Sequence, residues 1–87
     1  MDSGKFTKLC KQVIVSVFNE RVDKTDEFEL TTDDVFVVWE CKTLQNNKAL
    51  LSTTVHDGMY YELTYNGDKK ELYFDAYKKF ENRCINL

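Results

Sequence analysis

Eighty-seven residues leave room for one hydrophobic core and therefore one domain, 1–87. A chain that is 43% hydrophobic and 31% charged is a globular mixture rather than a disordered one, and twelve aromatics (14%) give it much apolar area for its size. The net charge of −3 argues against a phosphate backbone as the main partner, and no apolar run approaches the ~20 residues needed to cross a bilayer.

Taken in chain order, the first element reads as an amphipathic helix. Phe6, Leu9, Cys10, Val13, Ile14, Val17, Phe18 and Val22 follow helical spacing, and Asp2 or Ser3 can cap its start. The charged N-terminus does not read as a signal peptide. Between Asp23 and Asp34, six acids (Asp23, Asp26, Glu27, Glu29, Asp33, Asp34) against Lys24 give −5, so the rest of the chain carries +2. This stretch is either a solvated loop or a docking loop for a basic partner.

Four strands follow. Val35-Phe36-Val37-Val38-Trp39 opens a β-branched and aromatic run to about Leu44. Three turn signals, Gln45-Asn46-Asn47, His56-Asp57-Gly58 and Asn66-Gly67, then separate segments 48–55, 59–65 and 68–74. Two three-residue loops and a final two-residue turn set a register. In that register Cys41 faces Leu51, Leu51 faces Leu63, Tyr61 faces Leu72 and Met59 faces Phe74. Asn47 and Gly58 take left-handed positions. One face then gathers the apolar side chains: Val35, Val37, Trp39, Cys41, Ala49, Leu51, Val55, Met59, Tyr61, Leu63, Tyr65, Leu72 and Phe74. The last segment reads as a second helix, capped by Asp75, with Ala76, Tyr77, Phe80 and Cys84 at helical spacing. The expected fold class is α+β: a four-stranded antiparallel meander flanked by N-terminal and C-terminal helices, both covering the apolar face.

The same register predicts the uncovered face. One row holds Val38, Thr54, Tyr60 and Tyr73, with Phe36 nearby; the next holds Glu40, Ser52, Glu62 and Glu71, with Glu62 opposite Glu71. Aromatics beside an acidic row suit a protein-binding surface, although tyrosines are also ordinary on solvated sheets. Lys42, Lys48, Lys69 and Lys70 gather at the Asn-rich-turn end, a possible nucleic-acid contact, but the acidic row stands between them and the aromatics.

No catalytic constellation emerges. The single histidine, His56, sits in a turn. The cysteines Cys10, Cys41 and Cys84 are widely spaced and read as three reduced, packed thiols in a reducing compartment, with no metal or cofactor implied. The three glycines are isolated, so no phosphate-cradling loop is present.

Stretches 34–55, with Val35-Phe36-Val37-Val38-Trp39-Glu40-Cys41-Lys42, and 57–73, with Asp57-Gly58-Met59-Tyr60-Tyr61-Glu62-Leu63, are followed by Asp75-Ala76-Tyr77-Lys78-Lys79. On these strings the chain resembles a family of small uncharacterised proteins from tailed phages and prophages of Gram-positive bacteria. The resemblance runs nearly end to end. It implies expression in the bacterial host cytoplasm and transfers no functional residue. The expectation is a non-enzymatic accessory protein that binds a host or defence protein, for example a CRISPR effector or another nuclease. The alternatives are a nucleic-acid-associated replication factor and a structural homodimer made through the edge strand or exposed aromatics.

Overall fold

The structure is a computed structural model and describes residues 1–21 and 29–87. Helix α1 (Ser3–Arg21) is followed by a single 3₁₀ turn (Thr32–Asp34) and four strands, β1 (Val35–Thr43), β2 (Asn46–Thr53), β3 (Met59–Asn66) and β4 (Glu71–Lys78). The strands form one antiparallel sheet in the order β1-β2-β3-β4. The α+β class and the meander are therefore as expected from the sequence. Val22, Asp26 and Glu27 lie outside the described residues.

Helix α1 starts where the sequence places it. Asp2 Oδ1 accepts a hydrogen bond from the Lys5 amide at 2.8 Å, satisfying one of the amides that the first turn leaves without an internal partner. Its stripe of Phe6, Cys10 and Ile14 is fully buried against Val35, Ala49, Leu51, Tyr61 and Leu63. The helix lies mainly over β1 and β2. Its far end is tied down by a side chain outside the stripe: Asn19 Nδ2 donates to the Leu30 carbonyl and Asn19 Oδ1 accepts from the Leu30 amide, both at 3.1 Å. Leu30 is thereby held in the core, 1% exposed. The next turn is closed by a capping box, in which both the amide and the hydroxyl of Thr31 donate to Asp34 Oδ2.

The C-terminal helix is not formed. Residues 71–78 continue as β4, and residues 79–87 have no regular structure. Loop length is the reason. The β3–β4 connection is four residues, 67–70, rather than the two residues Asn66-Gly67. Asn66 Oδ1 accepts from the amides of Asp68 and Lys69 (3.1 and 3.3 Å), and Lys70 adopts φ 54°. The longer loop slides the register along, so Phe74 faces Leu63 rather than Met59. Asp75, Ala76, Tyr77 and Lys78 are then needed to pair with Glu62, Tyr61, Tyr60 and Met59. The two-residue alternation of Leu72, Phe74 and Ala76 prevails over the helical spacing of Ala76, Tyr77 and Phe80.

The β2–β3 loop is also two residues longer than its turn signal suggested, with Gly58 in the expected left-handed conformation (φ 72°). An added pair of residues leaves the faces unchanged, because side chains alternate with a period of two. The β1–β2 turn behaves differently. It is Leu44-Gln45, one residue shorter than expected, and Leu44 rather than Asn47 carries the positive φ (55°). A bulge at Val38 compensates: Val37 pairs with Leu51, whereas Trp39 pairs with Leu50.

Candidate functional site

Those two odd steps rearrange the exposed face. Val35 and Val37 point toward α1 as expected. Beyond the bulge the alternation of β1 is inverted, so Trp39 and Cys41 emerge on the open face and Glu40 and Lys42 turn to the helix side. Trp39 and Tyr61, expected on one face, lie on opposite faces. Glu40 is correspondingly lost from the open surface: the Thr7 hydroxyl of α1 donates to its Oε2 at 2.5 Å. A carboxylate beside the first turns of a helix is favoured by the partial positive charge there.

Three rows now cross the open face. The first is Phe36, Ser52, Tyr60 and Tyr77; the second is Trp39, Leu50, Glu62 and Asp75; the third is Cys41, Lys48, Thr64 and Tyr73. Phe36, Trp39, Tyr73 and Tyr77 are each about half exposed, as is Val38 at the bulge. The expected row of Val38, Thr54, Tyr60 and Tyr73 is thus replaced, with Tyr73 two rows from Tyr60. Tyr77, Trp39 and Leu50 were missed. Tyr77 was assigned to the absent helix, and Trp39 and Leu50 require the bulge and turn length to be known.

The acidic row changes too. Glu62 faces Asp75 rather than Glu71, and Glu71 pairs with Asn66 near the sheet end. Glu62 is held by Lys48 Nζ at 3.4 Å, which offsets one of the two facing carboxylates at the centre of the face. Glu71 Oε2 accepts from the Tyr73 hydroxyl at 2.6 Å, and this bond to a charged acceptor pushes the phenol pKa up. The lysines do not converge. Lys48 is on the open face, Lys42 on the helix side, and Lys69 and Lys70 are in the β3–β4 loop. Glu29 is exposed at the start of the described segment that follows α1.

Two shallow concavities flank the central row. One, about 400 Å³ and predominantly apolar, is lined by Leu50, Tyr60, Tyr77, Lys78 and Lys79. The other, about 360 Å³, is lined by Trp39, Cys41, Thr43, Asn46, Asn47, Lys48 and Thr64. Among the described residues, no three His, Cys, Asp or Glu side chains are grouped to hold a metal ion. Of the three free thiols only Cys10 is packed; Cys41 and Cys84 are exposed, because the bulge turns the first outward and the second has no helix to bury it. Burial, with a smaller contribution from the Glu40 charge, pushes the Cys10 thiol up to about 12.

The family model of DUF6275 matches residues 7–87. The chain belongs to this family of unknown function. The match spans the sheet and all but the first turn of α1, so the open face lies wholly within the family's domain. No curated protein and no solved structure matches the chain. No helix among the described residues is long and apolar enough to cross a membrane.

Proposed function

We propose that this DUF6275 chain is a non-catalytic binding protein that engages a protein partner through the open face of its sheet. The observation that supports this is the combination of Phe36, Trp39, Tyr60 and Tyr77 around Leu50 on one uncovered surface. Half-exposed aromatics are rigid and large, and they are the residue types on which interface energy concentrates. The Lys48–Glu62 ion pair and Asp75 set polar groups beside these apolar ones, and interfaces carry direct hydrogen bonds as well as apolar contacts. The ion-paired Lys48 and the dispersed lysines favour a protein over a nucleic acid. The resemblance to phage and prophage proteins points to a host or defence protein in the bacterial cytoplasm as that partner, with a nuclease as one form it takes.

Affinity capture from bacterial lysate with wild type and with a Trp39→Ser/Tyr60→Ser variant tests the reading. Anchors of this kind are worth about 2 kcal/mol or more each, roughly thirty-fold in affinity. The expected result is a partner captured by wild type and lost by the variant at unchanged melting temperature. Retention of the same partner by a folded variant would refute the open face as the contact surface.

A further inference from the structure

Asn66-Gly67 is the chain's one Asn-Gly step, and it joins β3 to the loop that leads into β4. The pair carries a chemistry of its own. Once the Gly67 amide gives up its proton to solvent, its nitrogen can attack Asn66 Cγ. The N–Cγ bond forms, the Cγ–Nδ2 bond breaks, and ammonia leaves with a proton taken from solvent, giving a succinimide. Water then opens either carbonyl of the ring, to aspartate or to isoaspartate. Glycine presents no side chain to hinder the attack. Both residues are only half-buried, so water reaches them.

In the folded chain each reacting atom is held elsewhere. The Gly67 amide donates to Asn46 Oδ1 at 3.1 Å, across to the first residue of β2. That oxygen belongs to a neutral amide, so it engages the proton without removing it. Asn66 Oδ1 accepts from the amides of Asp68 and Lys69 at 3.1 and 3.3 Å. Bringing Cγ to bonding distance of the Gly67 nitrogen carries Oδ1 with it and breaks both bonds. Gly67 is not free to move toward Cγ instead. Its backbone packs so closely on Gln45 that a Cβ would have no room, and Gln45 Nε2 also holds Asp68 Oδ2 at 2.7 Å.

We propose that Asn66 is a latent deamidation site, and that Asn46, through its Oδ1, is the catch that keeps it closed. Separation of the β1–β2 turn from the β3–β4 loop then starts a covalent change that needs only water. The aspartate product sets a carboxylate opposite Glu71, the cross-strand partner of Asn66, where like charges repel. The isoaspartate product routes the backbone through one extra carbon just ahead of β4, the strand that carries Tyr73 and Tyr77. This inference concerns the end of the sheet and is independent of the proposed open-face function.

Peptide mapping by mass spectrometry during incubation at mildly alkaline pH tests it. Each hydrogen bond that must break slows the reaction by about two- to thirteen-fold, and the three together by roughly ten- to two-thousand-fold. Folded wild type is therefore expected to deamidate at Asn66 more slowly, by that larger factor, than the same chain unfolded in guanidinium chloride. Asn46→Ala, checked for native circular dichroism, should deamidate faster than wild type by the single-bond factor. Asn19→Ala weakens the fold at the Leu30 clasp without touching the loop, and should keep the wild-type rate. Equal rates in folded and unfolded wild type would overturn the inference, a result that does not depend on any variant folding. So would an Asn46→Ala rate no higher than wild type, or an equal acceleration by Asn19→Ala, which would trace the protection to global stability rather than to Asn46.

Discussion

Gly67→Ala gives a strong test of how the sheet end is assembled. A Cβ on Gly67 would lie 2.2 Å from the Gln45 carbonyl oxygen and 2.8 Å from Gln45 Cβ. Carbon–oxygen contacts ordinarily sit near 3.3 Å, so roughly 1 Å must open between two stretches of backbone, and neither can rotate away. Opening that gap separates the β1–β2 turn from the β3–β4 loop. It strains or breaks the bond from the Gly67 amide to Asn46 Oδ1 (3.1 Å) and the bond from Gln45 Nε2 to Asp68 Oδ2 (2.7 Å). At about 0.5–1.5 kcal/mol per hydrogen bond, with about 1 kcal/mol of residual angle strain, the loss is about 2–4 kcal/mol. A domain of this length has only about 4–13 kcal/mol in total, so the melting temperature should fall by roughly 10–25 °C. Urea unfolding followed by circular dichroism measures it. Gly4→Ala is the matched control. Its Cβ would meet only Asp2 Oδ1 at 3.4 Å, and alanine in a helix is favoured over glycine by about 0.5–1 kcal/mol. The same substitution should therefore stabilise at position 4 and destabilise at position 67. A Gly67→Ala loss below about 1 kcal/mol, or an equal loss at both sites, would refute the contact between the two turns.

Four further outcomes are expected. Asn19→Ala removes both bonds to the Leu30 backbone and should cost about 1–3 kcal/mol by urea unfolding, while Asn19→Asp, which keeps only the acceptor, should fall between. Iodoacetamide with mass spectrometry should label two of the three thiols in the native protein, Cys41 and Cys84, and all three in urea. With the Cys10 pKa raised from 9.0 to about 12, its contribution to stability is complete below pH 9 and is lost as pH rises toward 12; Cys10→Ala should flatten that alkaline decline in melting temperature. Asp34 is held below the usual carboxylate range by the amide and hydroxyl of Thr31. Its contribution is present above about pH 4 and lost at more acid pH, so the melting-temperature gap between wild type and Asp34→Asn should close as pH falls from 5 to 2.

The helix and strands were legible in the sequence because each carries its own periodicity. Phe6, Cys10 and Ile14 can share a buried stripe only in a helix. Ala49, Leu51, Tyr61 and Leu63 can share a side only as strands, and even changes in loop length left those assignments intact. What failed depended on counting single residues. Nothing in Val37-Val38-Trp39 marks the bulge, and leucine is an improbable residue for the left-handed position that Leu44 fills, so the outer half of β1 was assigned to the wrong face. The C-terminal helix failed for a related reason: Ala76, Tyr77 and Phe80 satisfy a helical pattern locally, but Met59, Tyr60 and Tyr61 offer unpaired backbone that the chain beyond Phe74 completes. Asn19 was passed over because a polar residue outside an apolar stripe carries no sign of the backbone it will clasp.

The bulge at Val38 works as a phase shifter within a single strand. It uncouples the half of β1 that packs beneath the helix from the half that meets the surroundings. Absorbing that one residue into a three-residue turn, 43–45, would leave Val35 and Val37 in place and invert the outer half, withdrawing an indole and a thiol and presenting a carboxylate and an ammonium group. The surface offered to a partner is thus set by where one extra residue is accommodated, in the strand or in the turn, with no change in any side chain.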